Sequence, residues 1–125
     1  MQKPTVLVIE DAAATRRLVE LSLTLEGFEV LQRADGISGL EAALQFRPNV
    51  VVLDVALPGI DGWEVLRRMR ADLQAQTIPV VMITAHDTPQ TRKQAEFDQA
   101  DAFVGKPFDI NYLREVVTTL ARDGV

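Results

Sequence analysis

The chain has 125 residues, 47% hydrophobic and 25% charged, with 13 basic against 18 acidic residues and a net charge of -5. That balance excludes a disordered segment and, lacking a dense basic face, excludes unaided nucleic-acid binding. With no cysteine there are no disulfides or thiolate metal sites, and no apolar stretch nears the ~20 residues of a membrane span, so a soluble cytoplasmic domain with no membrane partner is expected.

Residues Met1 to Pro4 lead into a strand without a signal-peptide core. Thr5–Glu10 is β-branched and almost continuously apolar, as a strand buried on both faces should be, and it runs into the acidic pair Glu10-Asp11. Ala12–Glu26 predicts a helix on which Leu18, Leu21 and Leu25 share one face, with Gly27 as its stop. Phe28–Gln32 alternates more and reads as a strand nearer the sheet edge. Ser38–Phe46 is a helix with Leu40, Ala43 and Leu44 inward, closed by Arg47-Pro48. Val50–Asp54 is the most apolar run and reads as the central strand, ending in a carboxylate.

Pro58-Gly59-Ile60-Asp61-Gly62 is loop chemistry, and Trp63–Leu73 returns to helix through Val65, Leu66 and Met69. Pro79–Ile83 is a strand running into Thr84. Thr88-Pro89 supplies a cap followed by a proline at the first helical position. The helix it opens, Thr88–Asp98, is weak, with only Ala95 and Phe97 as inward candidates, and so should be displaced more easily than its neighbours. Ala102–Val104 is a short strand followed one residue later by Lys106-Pro107. Asp109 caps the last helix, whose Leu113, Val116, Val117 and Leu120 form an i, i+3, i+4, i+7 stripe toward the core.

Strand-helix alternation with right-handed crossovers predicts a parallel sheet covered on both faces. Five such units are too few for a barrel, so an open doubly wound α/β sheet is expected, one domain over 1–125 with no output domain in the chain. In such a sheet ligands bind beyond the carboxyl ends of the strands. Glu10, Asp11, Asp54, Thr84 and Lys106 should therefore meet at one edge.

Like charges at ~4 Å repel by about 4 kcal/mol at an effective dielectric near 20, so clustered carboxylates call for a proton or a cation. Oxygen ligands without histidine or cysteine favour a hard ion: magnesium, with manganese or calcium as substitutes. An aspartate carboxylate such as Asp54 can also attack phosphorus and form an acyl phosphate. Such transfer depends on alignment and on neutralising the equatorial oxygens, to which the Lys106 ammonium and the Thr84 hydroxyl can contribute.

Four motifs in order now carry a resemblance: Val-Ile-Glu-Asp at 8–11, Val-Leu-Asp-Val-Ala-Leu-Pro-Gly-Ile-Asp-Gly at 52–62, Ile-Thr-Ala at 83–85 and Lys-Pro-Phe at 106–108. Over residues 4 to 122 the chain resembles the receiver domains of bacterial two-component response regulators. The resemblance implies a flavodoxin-like sheet of order 2-1-3-4-5. It implies that Asp54 is phosphorylated by a histidine kinase, a histidine phosphotransfer protein or a small phosphodonor, with magnesium as cofactor. Asp11 and Asp54 would bind the ion directly, Glu10 through water and Ala56 through its backbone carbonyl. Lys106 would contact the phosphoryl group, and its bond to Pro107 would be cis. Thr84 would then move toward the phosphoryl oxygens and Phe103 into the space behind it, changing the surface of the fourth helix, fifth strand and last helix. That surface would meet a downstream effector, a fused output domain or, on phosphorylation, a second copy. The protein would be a switch, not a multiple-turnover enzyme.

Four positions bear comparison with the commonest pattern. Glu10 stands where aspartate is more frequent, Gln99 where glycine is usual, and Ala56 and His86 occupy sites that tune acyl-phosphate lifetime. Other classes fit less well. A hydrolase of the haloacid dehalogenase type needs a second aspartate where Ala56 stands. A flavin or nucleotide module needs a glycine-rich loop where Asp11-Ala12-Ala13-Ala14 stands. An unphosphorylated pseudo-receiver scaffold is the remaining alternative.

Overall fold

The apolar runs form strands and the amphipathic stretches return the chain as helices: β1 (Thr5–Ile9), α1 (Ala13–Leu25), β2 (Glu29–Arg33), α2 (Gly36–Phe46), β3 (Val50–Asp54), α3 (Gly62–Arg70), β4 (Val80–Thr84), α4 (Pro89–Phe97), β5 (Ala102–Gly105) and α5 (Ile110–Asp123). The computed structural model describes residues 3–123. The expected lead-in at Met1 and Gln2, and the end of the domain at 124–125, lie outside the described residues.

All strand pairs are parallel and the order is β2-β1-β3-β4-β5, so the first expectation of architecture holds, with the more alternating β2 at an edge and β3 in the middle. Every residue of β3 and β4 is buried, which is why those runs lack a polar face. One core lies where Val6, Val8, Val52, Val81 and Ile83 meet α1 and α5. The other lies where Leu7, Ile9, Val51, Leu53 and Met82 meet α2 and α3. Register places Ile9 opposite Leu53 and Thr84 opposite Gly105, so Glu10 follows β1 at the level where Asp54 ends β3.

Side-chain phase departs from expectation on two helices, α1 and α4, while the expected stripe of α5 packs on the core. Leu18, Leu21 and Leu25 of α1 do share a face, but it is the outward one, 50%, 46% and 87% exposed; Val19, Ser22 and Leu23 face the sheet instead. The helix carries apolar side chains on two sides, and the sheet takes the side of Val19 and Leu23. On α4, Ala95 is buried but Phe97 is 82% exposed. Residues two apart lie about 200° around a helix, so they cannot both face inward. The inward partner of Ala95 is Asp98, three positions on, which pairs with Arg67. On α5, Leu113 and Val117 are fully buried, whereas Val116 and Leu120 lie half-buried at the margin of the core.

Candidate functional site

The carboxyl edge of the sheet gathers side chains from β1, β3, β4 and β5. Glu10 and Asp54 are buried although both are acidic, and one oxygen from each of Glu10, Asp11 and Asp54 lies within 4.8 Å of the others. The Lys106 ammonium bridges two of them, donating to Glu10 Oε1 at 2.6 Å and to Asp54 Oδ2 at 2.9 Å. Backbone amides satisfy the remaining oxygens: Ala12 N donates to Glu10 Oε2 at 3.1 Å, and Ala56 N to Asp54 Oδ1 at 3.3 Å. The peptide bond between Lys106 and Pro107 is cis, as expected.

Burial and the neighbouring Asp54 carboxyl raise the pKa of Glu10, while Lys106 and the Ala12 amide pull it back. Burial works against the charge on Lys106, but its bonds to Glu10 and Asp54 outweigh that and hold its pKa above the ordinary lysine value. One ammonium against three carboxylates leaves the cluster net acidic. All the donors are oxygens and one of them, Asp11, is exposed to solvent, which suits a hard, partly hydrated divalent ion. The residues present therefore fit magnesium.

Thr84, at the end of β4, is buried, and its Oγ1 accepts a hydrogen bond from His86 N at 3.0 Å. Beside it, Thr15, Leu18, Ala85, Lys106, Pro107 and Phe108 line an open cleft of about 390 Å³. Gly62, the first residue of α3, abuts the main chain of Asp54, and a Cβ there would collide with the Asp54 carbonyl oxygen.

The structure thus brings Glu10, Asp11, Asp54 and Lys106 together, with Ala56 donating to Asp54 and Thr84 on the neighbouring strand end. Sequence reasoning did not find Arg16, whose guanidinium donates to the carbonyls of Glu10 at 2.8 Å and Asp11 at 3.4 Å and so braces the acidic turn. Its only signal was a cation one helical turn into α1, a common pattern. Gln99, flagged as standing where glycine is usual, has a left-handed backbone with φ 67.

The family model described as response regulator receiver domain matches residues 6–118. The DNA-binding dual master transcriptional regulator RpaA of Synechocystis is 38% identical over 119 residues, covering 95% of this chain and 49% of that protein. The chain therefore spans about half the length of that relative. Among solved structures, the chemotaxis response regulator CheY4 of Vibrio cholerae superposes with a TM-score of 0.89 at 27% identity, covering 95% of this chain and 99% of the other. The receiver domain of the sensor histidine kinase PA1611 from Pseudomonas aeruginosa, which has magnesium coordinated in its active site cleft, shares the fold with a TM-score of 0.88 at 24% identity, covering 97% and 99% of the two chains.

Proposed function

We propose, because this chain belongs to the response regulator receiver domain family, that Asp54 is its phosphoacceptor and that the phosphoryl group comes from a histidine kinase, a histidine phosphotransfer protein or a small phosphodonor. One observation carries the reading: a buried aspartate held at 2.9 Å by an ammonium, inside an acidic cluster. A carboxylate held in place by the Lys106 ammonium and the Ala56 amide is a competent nucleophile.

In the transfer, an Asp54 carboxylate oxygen forms a bond to phosphorus while the bond from phosphorus to the donor breaks. The bonding electrons leave with the donor, an imidazole nitrogen or an acetate oxygen. Magnesium held by Asp11, Asp54 and the Ala56 carbonyl, with Glu10 reaching it through water, would neutralise charge on the phosphoryl oxygens. Lys106 is placed to exchange its bond to Asp54 for one to the phosphoryl group without leaving Glu10. Thr84 stands at the adjacent strand end, where its hydroxyl donates to a phosphoryl oxygen once it turns from the His86 amide.

Phosphorylation adds about 1.5 to 2 negative charges at this edge and biases α4, β5 and α5 toward a second arrangement, with Phe103 moving behind Thr84. That surface meets an effector or an output domain, and a second copy is a further partner. Residues 1–125 act as one receiver unit. No described helix is long and apolar enough to cross a membrane.

Incubation with magnesium and acetyl phosphate should add one acid-stable, base-labile phosphoryl group, read by intact-protein mass spectrometry. Asp54→Asn should abolish it. Labelling that persists in the variant refutes the assignment, and no labelling of the wild type with any donor favours the scaffold alternative. Removing the divalent ion with a chelator should stop the labelling.

A further inference from the structure

Just beyond Thr84 the chain enters a clamp built from three elements. Arg92, in the first turns of α4, grips the Asp87 carboxylate with two prongs, Nε to Oδ1 at 2.6 Å and an Nη to Oδ2 at 2.8 Å. The same guanidinium lies over the Phe103 ring, 5.0 Å from its centroid. Phe103 and Gly105 alternate onto one face of β5, and Asp87 fills the space above Gly105: a Cβ at that glycine would meet Asp87 Oδ2 at 2.8 Å and Asp87 Cβ at 2.9 Å. The intervening loop is bonded through. Thr84 Oγ1 accepts from His86 N, and His86 O accepts from Thr91 Oγ1 at 2.6 Å and from Thr88 N at 3.1 Å. A Thr84 hydroxyl that turns toward Asp54 must release or drag His86, and Asp87 is the next residue along.

We propose that Arg92 is a positioning residue that clamps Asp87 and Phe103 together, holding the β4–α4 loop in its unphosphorylated arrangement and thereby setting how readily Asp54 is phosphorylated. This rests on the reading of Asp54 given above. Contacts made in one of two arrangements shift the equilibrium only by their difference between them, so loosening the clamp raises the share of molecules in which Thr84 is free. One exposed ion pair and one cation–π contact support an effect of roughly two- to tenfold.

The test compares the full chain with Arg92→Ala, Arg92→Lys and Asp87→Asn, all surface changes outside the acidic cluster. Hydrogen exchange of the unphosphorylated proteins should quicken roughly two- to tenfold at His86 and Thr91 in Arg92→Ala and Asp87→Asn, with β1 and β3 unchanged. Arg92→Lys keeps a cation near the ring but loses the two-pronged bond, and should fall between. Labelling by acetyl phosphate and magnesium should accelerate in the same order. Unchanged exchange overturns the clamp whatever the labelling does, and faster exchange with unchanged or slower labelling overturns its control over Asp54. If the wild type itself does not label, the phosphoacceptor reading fails and the control with it, while the exchange data still decide whether the clamp exists.

Discussion

Helices α3 and α4 each have nine residues, yet they are held to the sheet by different physics. Helix α3 buries Val65, Leu66 and Met69 completely, and it starts at Gly62 against the Asp54 main chain. Helix α4 buries Ala95 alone. It is fastened by polar devices: the reciprocal Thr88–Thr91 cap, the Asp87–Arg92 pair, and Asp98 held by Arg67 at 3.2 Å and by Gln94 at 2.6 Å. Their exits differ as well. Helix α3 ends on Ala71 in a relaxed right-handed conformation, whereas the residue after the α4 cap, Gln99, is left-handed. Apolar burial resists displacement in every direction, while hydrogen bonds and ion pairs can be exchanged for water or for new partners. The sheet thus has one neighbour anchored by apolar burial and one anchored by polar contacts.

The comparison breaks most easily at Leu66. Leu66→Ala removes a fully buried side chain and should cost about 2–5 kcal/mol in denaturant unfolding. No single substitution on α4 should approach that value, and one that did would show that α4 is anchored like α3. Acid sharpens the contrast next. The bonds from Arg92 hold the Asp87 carboxyl below its ordinary pKa. Its contribution is therefore present above the unfolded value of 3.8 and is lost as pH falls through the lower folded value. Hydrogen exchange on an acid series should show the β4–α4 loop loosening while Val65–Met69 stay protected; simultaneous loss would erase the distinction. The smallest effect lies at Gln99. Gln99→Gly removes the penalty of a side chain at positive φ and should stabilise by about 0.5–1 kcal/mol, read as a shift in denaturation midpoint without a change in slope.

Strands were legible because continuous apolar runs have few other readings, and β3 and β4 are buried along their whole length. The convergence of Glu10, Asp11, Asp54 and Lys106 followed from that topology, since each stands just where a run stops, and Lys106 lies 2.9 Å from Asp54 in the structure. Helix phase was less legible. Helix α1 offers apolar side chains on two sides, and only packing selects Val19 and Leu23 over Leu18, Leu21 and Leu25. Phe97 misled because aromatic character says nothing about azimuth on a helix that buries so little. Arg16 and Arg92 escaped for a third reason. Their partners are carbonyls, a ring and a loop carboxylate brought near by the turn of the chain, and no spacing in the sequence marks them.

The missing side chain at Gly62 has a mechanical consequence. Main chain lies directly against main chain at the end of β3, with no side chain between them to change rotamer. A Cβ at position 62 would therefore have to push the start of α3 away from the end of β3, since no neighbouring side chain could yield to it.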